Sequence, residues 1–411
     1  MKSQLKPTIA VIGGGAAGVF AAIHASYNGR YKVVVFERSS KLLSKVKVSG
    51  GGRCNVTHAC FNNGVLVTNY PRGQRELAGT FSQFTTSDTV RWFENRGVHL
   101  KTESDGRMFP SSNNSETIIE CLLREAEKCG VHFFLQHTLS NIFCINDKFH
   151  LKFNAATLEA DKIIVAVGGY PQLSQYAWLQ NLDIEIIRPV PSLFTFNIKN
   201  SVFKGLEGVV MEQASVKIQN SNFIMEGPVL ITHWGLSGPA VLKLSAFAAL
   251  WLADVNYTFN IILNVMAPNK QDVVRQMLLN LKLTESKKVA NTKFANLSSS
   301  IWLRYCTMVN AEDKYWSDIS NQTINKLAEL LTGFVMAIDG KSVNKEEFVT
   351  AGGVNLKQIN HKTNEHKSIK GLFFAGEVLN VDGITGGFNF QHAWSSGYIA
   401  GIHASMPENP L

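Results

Sequence analysis

The sequence predicts an α/β fold of the Rossmann type, and three observations support this prediction. Two short apolar runs, Thr8–Ile12 and 33–37, flank a glycine-rich turn and a run with helical spacing. Two later runs, 161–167 and 371–377, are almost continuously apolar and lie next to glycines. Buried parallel strands have this composition because both faces of the sheet are covered. A strand, a glycine-rich turn, a helix and a second strand form the βαβ unit of Rossmann-type domains.

The first element is the loop Gly13-Gly-Gly-Ala-Ala-Gly18. Gly13 lets the strand turn sharply, Gly15 lets the backbone approach a pyrophosphate, and Gly18 lets the helix pack closely. Unpaired N–H groups at the start of a helix bind phosphates. Glu37 lies nineteen residues after Gly18, where its carboxylate can accept hydrogen bonds from a ribose diol. The loop therefore predicts a dinucleotide site, but alone it does not distinguish NAD from FAD.

A second glycine-rich loop, Lys45-Val-Lys-Val-Ser-Gly-Gly-Gly-Arg-Cys-Asn55, follows this unit. Consecutive glycines suit a backbone that lies against a flat or charged ligand. A mobile surface loop is the alternative.

The next part of the chain predicts helices and short strands. Residues 86–97 have the spacing of an amphipathic helix, and 106–110 indicate a turn. The segments 131–134, 140–145 and 149–153 indicate short strands of a meander.

The pattern of apolar and polar residues changes near residue 190, and near Lys345 it returns to the pattern of the N-terminal region. Short alternating segments after residue 190 indicate an antiparallel sheet or barrel. Ser237-Gly-Pro239 indicates a helix start with serine as the N-cap and proline in the first turn. Residues 269–331 are helical in pattern and rich in Lys, Asn and Ser, which indicates a small helical subdomain.

The C-terminal segment favours FAD over NAD. Glu377 ends a strand, where its carboxylate can accept hydrogen bonds from ribityl hydroxyls. Gly386-Gly-Phe-Asn389 presents backbone N–H groups at the positive end of a helix, which would stabilise the negative N1–C2=O2 edge of a reduced flavin. Small residues at 393, 396, 397, 400 and 401 allow that helix to pack closely against a neighbour. No second G-x-G-x-x-G unit follows a strand, so NAD(P)H would act only as a transient electron donor at the flavin face.

Six motifs resemble the BaiN-type, aminoacetone-oxidase-like family of bacterial FAD-dependent flavoproteins, within the wider glutathione-reductase class. They span nearly the whole chain: Ile12-Gly-Gly-Gly-Ala-Ala-Gly18, Val48-Ser-Gly-Gly-Gly-Arg-Cys-Asn-Val-Thr57, Gly106-Arg-Met-Phe-Pro110, Thr232-His-Trp-Gly-Leu-Ser-Gly-Pro239, Val349-Thr-Ala-Gly-Gly-Val354, and Gly371-Leu-Phe-Phe-Ala-Gly-Glu377 through Gly386-Gly-Phe-Asn-Phe-Gln391.

The resemblance implies a discontinuous FAD-binding domain, 1–190 and 346–411, interrupted by an inserted domain at 191–345. The insert would hold a β-barrel at about 191–267, completed by about 332–345, and a helical subdomain at about 268–331. Glu37 would hold the adenosine ribose, Leu139 would contact adenine through its backbone, and Glu377 would bind the ribityl chain. The implied cofactor-binding residues are Gly13, Gly15, Ala16, Ala17, Gly18, Glu37, Arg38, Lys45, Ser49, Gly50, Gly51, Arg53, Cys54, Asn55, Leu139, Gly168, Gly376, Glu377, Asp382, Gly387, Phe388, Asn389 and Phe390.

The sequence assigns no catalytic acid or base and offers only weak candidates. Cys54, beside Arg53, has a lowered thiol pKa and a redox role in one interpretation, and is a packing residue in the other. His392 lies where a helix positive end disfavours protonation, which suits either neutral hydrogen bonding or a proton relay. His233 is either structural or brought to substrate by the insert. Arg107 either binds an anionic substrate group or forms a salt bridge within its loop.

Composition limits the classes of function. The six cysteines contain no C-x-x-C pair or metal-ligand spacing, which argues against a disulfide oxidoreductase and against a structural zinc or iron–sulfur site. The longest apolar region, 239–266, is interrupted by polar residues, so no membrane span is predicted. Because the N-terminus runs directly into a core strand, a cytoplasmic location is expected.

The formal charge of +8 allows an anionic partner, but the basic residues are scattered without an aromatic-rich stripe. We therefore expect an FAD-dependent oxidoreductase that transfers hydride to or from a small molecule, with nucleic acid a less favoured partner. The alternatives are a flavin-dependent RNA-modifying enzyme and a non-catalytic flavin-binding module. The oligomeric state is not readable from the sequence.

Overall fold

The protein is described by a computed structural model over residues 6–154, 156–342 and 349–407. The chain divides into two compact units, Met1–Pro191 with Lys345–Leu411, and Ser192–Asn344. The first division falls next to the boundary at 190/191 expected from the sequence. The second expected boundary, at 345/346, lies outside the described residues.

The first segment of the chain contains strands and helices in alternation. Its strands are β1 (Thr8–Ile12), β2 (Lys32–Phe36), β3 (Thr57–His58), β4 (Leu100–Thr102), β5 (Arg107–Pro110), β6 (His132–Phe134), β7 (Leu139–Ile145), β8 (Lys148–Phe153), β9 (Thr157–Ala160), β10 (Lys162–Val165) and β11 (Ile186–Ser192). Its helices are α1 (Ala16–Ser26), α2 (Ser44–Gly52), α3 (Asn63–Val67), α4 (Gln74–Gln83), α5 (Thr86–Glu94), α6 (Glu116–Lys128), a 3-10 turn (Leu173–Tyr176) and α7 (Ala177–Gln180).

The middle segment contains the elements of the second unit. Its strands are β12 (Thr195–Asn197), β13 (Val210–Ile218), β14 (Ile224–Thr232), β15 (Gly235–Ser237), β16 (Phe259–Asn264), β17 (Phe334–Ile338) and β18 (Gly340–Ser342). Its helices are α8 (Pro239–Phe247), α9 (Ala249–Asp254), α10 (Gln271–Thr284), α11 (Ser299–Met308) and α12 (Asn321–Gly333), with 3-10 turns at Val289–Asn291 and Trp316–Asp318.

The last segment returns to the first unit. It contains strands β19 (Val349–Val354), β20 (Ile359–Asn360), β21 (Glu365–His366) and β22 (Leu372–Phe374). The long helix α13 (Phe388–Ala404) ends it, after 3-10 turns at Leu356–Gln358 and Gly376–Val378.

The first unit is built on a seven-stranded sheet in the order β20-β21-β22-β10-β1-β2-β6. Strand β1 lies between β10 and β2, and both neighbours are parallel to it. Strand β22 is parallel to β10, although about 200 residues separate them in sequence. The predicted Rossmann-type α/β sheet is confirmed, and the carboxyl ends of β1, β2, β10 and β22 meet at one edge. Ligands bind at this edge in open parallel sheets.

Helix α13 packs along α1, as its small residues predicted. A Cβ atom added to Gly397 would lie 2.7 Å from the Ala17 carbonyl oxygen, and one added to Gly401 would lie 2.4 Å from the Ala21 carbonyl oxygen. Only glycine permits the two helix backbones to approach this closely. The same core includes Trp394, which is fully buried.

Two sequence-based element assignments in this unit were wrong. The segment 131–134 was expected in a meander, but β6 pairs in parallel with β2 in the main sheet. Strands β7, β8 and β9 form the antiparallel meander instead. Residues 106–110 were expected as a turn, but β5 pairs with both β3 and β4. Only Gly106, with φ of +86°, belongs to the turn, because strand pairing outweighed the turn preference of the glycine.

The second unit is an antiparallel sheet in the order β17-β16-β13-β14-β15-β12-β18. Its two edge strands, β17 and β18, are separated in sequence by Asp339 alone, so the sheet must curl until its edges approach one another. Helices α8, α10, α11 and α12 share a single hydrophobic core with the sheet. The segment expected to be a helical subdomain therefore packs on the sheet and has no core of its own among the described residues.

The predicted serine N-cap of α8 was wrong. Ser237 pairs with Leu230 as the last residue of β15, and its hydroxyl accepts a hydrogen bond from Thr195 Oγ1 at 3.0 Å. Gly238, with φ of +92°, occupies the cap position, and Pro239 is the first helical residue as predicted. Within the described residues, no helix has the length and apolar composition needed to cross a bilayer.

Candidate functional site

The loop between β1 and α1 has the close contacts that its glycines predicted. A Cβ atom at Gly18 would lie 1.9 Å from the Gly13 carbonyl oxygen, and one at Gly13 would lie 2.3 Å from the Ala166 carbonyl oxygen. Gly13 also has φ of +110°. By contrast, no atom lies within 4 Å of a Cβ placed on Gly15. Gly13 and Gly18 are therefore required by packing, whereas Gly15 faces open space that a ligand can approach.

Helices α1 and α13 both begin without a capping side chain. The N-cap residues are Gly15 and Gly387, and neither helix has an acidic residue in its first turn. The first N–H groups of a helix have no acceptor within the helix and form its positive end. Because no side chain of either helix satisfies these donors, both helix starts are suited to an anionic or carbonyl-bearing ligand.

Glu37 follows β2 at the same edge of the sheet. Its Oε2 accepts a hydrogen bond from the Gly14 N–H at 2.8 Å, and its Oε1 accepts from the Ser39 N–H at 2.9 Å. The His137 N–H donates to the Glu37 carbonyl at 2.9 Å. The segment that leads into Leu139 therefore runs beside Glu37, which brings these two predicted adenosine-side residues into one region.

Three further predicted residues lie around the neighbouring strand ends. The Arg38 guanidinium lies 5.7 Å from the centroid of the Tyr170 ring, which places it over the segment that follows β10. Gly168 and Gly376 both have φ of +76°. A Cβ at Gly376 would lie 2.8 Å from the Ala17 Cβ, so this glycine permits close contact between the end of β22 and α1.

The glycine-rich loop 49–55 has an open and a packed side. Residues 50–52 all have positive φ, and Cβ atoms on the last two would meet no atom within 4 Å. The Ser49 hydroxyl donates to the Val46 carbonyl at 2.9 Å. The Arg53 guanidinium lies 4.0 Å from the centroid of the Phe109 ring and pairs with Glu103 at 2.6 Å. The open glycine face is therefore accessible, while Arg53 anchors the loop from its other side.

Residues 55–57 join this loop to helix α13. With its amide oxygen facing Gly387, Asn55 accepts from the Gly387 N–H at 2.9 Å. The Thr57 hydroxyl donates to Gln391 Oε1 at 2.6 Å, and Trp394 Nε1–H donates to the Val56 carbonyl at 2.9 Å. A Cβ at Gly387 would lie 2.5 Å from the Thr57 carbonyl oxygen. Segments more than 320 residues apart thus form one rigid wall of the site.

Glu377 lies beside the ends of β10 and β22. Its Oε2 accepts from Lys45 Nζ at 2.8 Å, and its Oε1 accepts from the Thr350 N–H at 3.1 Å. The Thr350 hydroxyl is buried and has no hydrogen-bond partner among the described residues. A Cβ at Gly169 would lie 2.8 Å from this hydroxyl oxygen. An unsatisfied hydroxyl beside a carboxylate and an ammonium group fits a polar, hydroxyl-bearing ligand.

The first turn of α13 is fixed by Asn389, one of the predicted residues, and by Tyr70, which sequence reasoning did not single out. Tyr70 Oη–H donates to the Phe388 carbonyl at 2.7 Å. The Asn389 side chain accepts from the Gly383 N–H at 2.8 Å and donates to the Gly383 carbonyl at 3.0 Å. These bonds hold the backbone of the turn, so its N–H groups point in a fixed direction. Phe390 stacks on Trp394.

Asp382, one of the implied cofactor-binding residues, lies in a buried environment. Its side chain is fully buried and forms an ion pair with Arg72. The backbones of these two residues also form a β-bridge. The carboxylate thus ties the loop before α13 to the segment before α4. Arg72 carries no motif in the sequence that marks it for this role.

The surroundings of Cys54 favour the second of its two interpretations, a packing residue. The side chain is fully buried in an apolar core, and burial raises the pKa of its thiol to about 12. The neighbouring Arg53 is turned toward Phe109 and Glu103, so it does not stabilise a thiolate. Cys54 is therefore a packing residue of the loop.

The ring of His392 is neutral, as predicted, but mainly for another reason. Burial lowers its pKa to about 4, whereas the Gly376 carbonyl and the Glu377 carboxylate raise it. The helix position was expected to be the cause, yet desolvation is the largest contribution. A neutral, buried imidazole is poorly suited to donate a proton to substrate.

The remaining two candidates lie on the surface. Arg107 forms salt bridges with Asp105 at 2.7 Å and with Glu103 at 3.2 Å. These contacts favour the second of its two interpretations, a salt bridge within its loop. His233 is exposed in the turn between β14 and β15 of the second unit. The structure brings together most of the predicted cofactor residues of the first unit. Sequence reasoning missed Tyr70 and Arg72, which only the folded chain places beside the motifs, and it gave no role to Thr350, which lies within the motif 349–354.

Three curated relatives match the chain over nearly its whole length. A ribosomal RNA dihydrouridine synthase from Haemophilus influenzae is 28% identical and covers 96% of this chain and 98% of its own. A ribosomal RNA dihydrouridine synthase from Escherichia coli is 27% identical and covers 94% and 95%. A 3-dehydro-bile acid delta(4,6)-reductase from Clostridium scindens is 24% identical and covers 97% and 98%.

A solved structure and a family model agree with the architecture. The 3-ketosteroid-delta4-(5alpha)-dehydrogenase of Rhodococcus jostii has the same fold, with a TM-score of 0.51, 12% identity and coverage of 99% of both chains. The model for the HI0933-like protein Rossmann domain matches residues 7–403. This match confirms the predicted resemblance to a family of Rossmann-type flavoproteins. The chain belongs to the HI0933-like family of FAD-binding Rossmann proteins.

Proposed function

We propose that this protein is an FAD-dependent reductase of a carbon–carbon double bond conjugated to a carbonyl group, and that its substrate is a uridine in ribosomal RNA. The proposal that the cofactor is FAD rests on one structural observation. Two helices of the same unit, α1 and α13, begin without a capping side chain, at Gly15 and Gly387. Such a site offers donors to both halves of an FAD, whereas an NAD site needs only the first.

The residues divide between the two halves of the cofactor in this proposal. The N–H groups at the start of α1 bind the pyrophosphate, and Glu37 accepts hydrogen bonds from the adenosine ribose. Glu377 and the buried Thr350 hydroxyl contact the ribityl chain. The open glycine face of loop 49–55 lies against the ring system, and the N–H groups at the start of α13 stabilise its carbonyl edge.

We infer the class of reaction from the chemistry that the names of the three relatives have in common. Dihydrouridine differs from uridine by saturation of the C5–C6 double bond, which is conjugated to the C4 carbonyl. A delta(4,6)-reductase of a 3-dehydro-bile acid likewise acts on double bonds conjugated to a ketone. Reduced FAD supplies a hydride to such a polarised bond. The protein orients the double bond and excludes water while a proton is added to the second carbon.

The environments of two candidate residues, Cys54 and His392, exclude them as the proton donor. Cys54 is buried with a raised pKa, and the buried ring of His392 is neutral at physiological pH. We therefore leave the donor unassigned and propose that FAD carries the redox step. NAD(P)H is the proposed electron donor, and it would reach the flavin directly.

Uridine in RNA is preferred to a small molecule because the two RNA-acting relatives are more similar to the chain than the bile-acid reductase. The formal charge of +8 is also compatible with an RNA substrate. A small conjugated ketone is the second candidate, favoured by the match to the bile-acid enzyme over 97% of the chain.

The test measures electron transfer from the donor to the flavin and from the flavin to the substrate. The purified protein, loaded with FAD, is reduced anaerobically with NADPH or NADH and mixed with unmodified ribosomal RNA or with a steroid enone. We expect RNA to reoxidise the flavin and one uridine to gain 2 Da, measured by mass spectrometry of nuclease fragments. Reoxidation by the enone alone would favour the second candidate. A protein that binds FAD but is reoxidised by neither substrate would contradict the proposal.

A further inference from the structure

The turn 232–235 of the second unit exposes an unusual tryptophan. Trp234 is 69% exposed, whereas five of the seven tryptophans of the chain are at most 7% exposed. Its indole makes no ring contact with any residue that the structure describes. Burial of a large aromatic side chain stabilises a fold by roughly 1.5–3 kcal/mol, so this side chain contributes little to stability where it stands.

The backbone of this turn is held firmly although its side chains are exposed. Thr232 Oγ1 accepts from the Gly235 N–H at 3.1 Å and donates to the Gly235 carbonyl at 3.2 Å. The Ile198 N–H donates to the Trp234 carbonyl at 2.8 Å. A Cβ at Gly235 would lie 2.2 Å from the Phe196 carbonyl oxygen, so the neighbouring strand packs directly against the turn. A rigid turn presents the indole at little cost in conformational entropy.

The loop 199–207 beside the turn carries cationic side chains. Lys199 and Lys204 are exposed, and Arg304 donates to the Lys204 carbonyl at 3.0 Å. The nearby acidic groups are engaged by backbone amides: Glu207 accepts from the Gly205 N–H at 3.1 Å, and Asp339 accepts from the Lys199 N–H at 3.1 Å. The loop that carries these two lysines is joined to the turn region by its flanking backbone, because the Ile198 N–H donates to the Trp234 carbonyl and the Gly208 N–H donates to the Ile231 carbonyl at 2.9 Å.

We propose that Trp234, with Lys199 and Lys204, forms a platform on which an unpaired base of single-stranded RNA stacks. This inference rests on the proposed function and specifies how its substrate is held. Single-stranded RNA is bound by aromatic side chains that stack on its bases and by cations that contact its phosphates. Exposed His233, next to Trp234, adds a second ring that can stack or donate a hydrogen bond.

The surroundings of the indole favour RNA over a protein partner or a second copy of the chain. Protein interfaces bury an apolar core of several hundred square ångströms. Here the exposed ring lies in a turn next to a loop that carries two exposed lysines, and lysine is depleted at such interfaces. An aromatic ring near exposed cations is instead suited to contact a base and its adjacent phosphates.

Binding of a fluorescein-labelled single-stranded RNA of mixed sequence, which carries no substrate uridine, tests the platform. The full-length protein loaded with FAD is titrated by fluorescence anisotropy, and Trp234→Ala is compared with the wild type. We expect a roughly 5- to 150-fold rise in Kd, because stacking on one aromatic ring accounts for an effect of this size. Trp234→Phe retains a ring and should recover much of the affinity.

Two controls separate stacking from a general effect on folding. Tyr315→Ala removes another exposed ring of the same unit and should bind RNA as the wild type does, and all variants should retain the same flavin absorbance and melting temperature. Lys199→Ala with Lys204→Ala should reduce the slope of log K against log salt by roughly 0.7 per lysine. Equal affinity of Trp234→Ala and wild type would overturn the platform, as would loss of self-association in Trp234→Ala with unchanged RNA binding.

The same samples distinguish failure of the platform from failure of the proposed function. A wild type that binds RNA through Trp234 but is not reoxidised by ribosomal RNA would retain the platform and contradict the function. A wild type that reduces uridine, with Trp234→Ala unchanged in both Kd and reoxidation rate, would retain the function and contradict the platform. A wild type that binds no RNA at low salt would contradict the platform directly.

Discussion

Gly15 and Gly18 stand in the same loop, but their surroundings require glycine for different reasons. At Gly18 a side chain would collide with the Gly13 carbonyl, so the constraint is internal to the fold. At Gly15 the backbone has an ordinary φ of −83° and open space beside it, so packing does not require glycine there, and in the proposed function the approach of the cofactor does. The two positions therefore separate the folding role of the motif from its binding role.

We predict that Gly15→Ala and Gly18→Ala have opposite signatures. Gly15→Ala should keep the wild-type melting temperature of the FAD-free protein but bind FAD more weakly, because its methyl group occupies the path of the pyrophosphate. Gly18→Ala should destabilise the FAD-free protein by roughly 1–3 kcal/mol, the range for overpacked cores. Thermal unfolding and FAD titration of both variants test this. A Gly15→Ala variant with unchanged FAD affinity would show that the backbone does not approach the cofactor there.

The carboxylate of Glu377 offers a second prediction at the residue scale. Glu377→Gln removes the charge that contacts Lys45 and the Thr350 N–H. We expect the Kd for FAD to rise roughly 10- to 100-fold, since hydrogen bonds to a charged group contribute about 1.5–3 kcal/mol. Equilibrium dialysis measures the effect. Glu116→Gln, which removes the exposed pair with Lys47, is the matched control and should bind FAD normally.

The buried ring of His392 makes the stability of the protein depend on pH. Its pKa is about 4 in the fold and has an ordinary value of 6.5, so the unfolded chain binds a proton first as pH falls. The resulting stability is fully present above pH 6.5 and is lost as pH falls toward 4, by about 3 kcal/mol in total. Urea unfolding of His392→Gln should show a shallower decline with pH than the wild type.

A second buried histidine limits how much of the slope the His392 variant removes. Buried His24, whose pKa is lowered to about 3 by desolvation, contributes a decline of the same sign, so the His392 variant should retain part of the slope. A His392→Gln slope equal to that of the wild type would mean that the ring is not desolvated.

At the scale of elements, the close packing of α1 and α13 is what positions both helix starts. We predict that Gly397→Val, whose Cβ would lie 2.7 Å from the Ala17 carbonyl oxygen, destabilises the protein by roughly 1–3 kcal/mol and also weakens FAD binding. Gly333→Ala is the control, because a Cβ there meets no atom within 4 Å at the end of α12. Calorimetry of the two variants should show destabilisation only in the first.

Elements with strong periodicity were predictable, and those decided by pairing were not. β1, β2, β10 and α13 followed from apolar runs and small residues at helical spacing, because these features reflect local burial. The structure of 106–110 and of Ser237 depended on strand pairing, both with nearby strands and with β3 and β12, which lie far from them in sequence. Local turn and cap preferences of a fraction of a kilocalorie do not prevail against such pairing.

At the scale of the whole molecule, FAD should stabilise the protein more than NAD⁺ does. A ligand that binds only the native state adds about 2.7 kcal/mol at 100 times its Kd, which corresponds to roughly 5 to 10 °C in melting temperature for a domain of this size. NAD⁺ lacks the half that would contact α13 and should raise the temperature less at equal concentration. Equal shifts for both would contradict a two-ended site.

The sequence motifs of the candidate site could be predicted, but the tertiary contacts that hold them in place could not. The residues that form the walls, from Gly13 to Phe390, carry motifs that can be read in the chain. The side chains that fix these walls, such as Tyr70 and Arg72, have ordinary local sequences and acquire their contacts only through tertiary packing. Their roles depend on which distant backbone groups they meet, and no local pattern encodes that information.

The hydrogen bonds between residues 55–57 and α13 also have a consequence for biosynthesis. Residues 55–57 leave the ribosome more than 320 residues before α13 does, so they wait for their partner during the synthesis of the intervening chain. Strand β10 likewise waits for β22. A nascent chain that lacks α13 would not complete the proposed two-ended site, and the yellow colour of a bound flavin would mark only chains whose synthesis has passed α13.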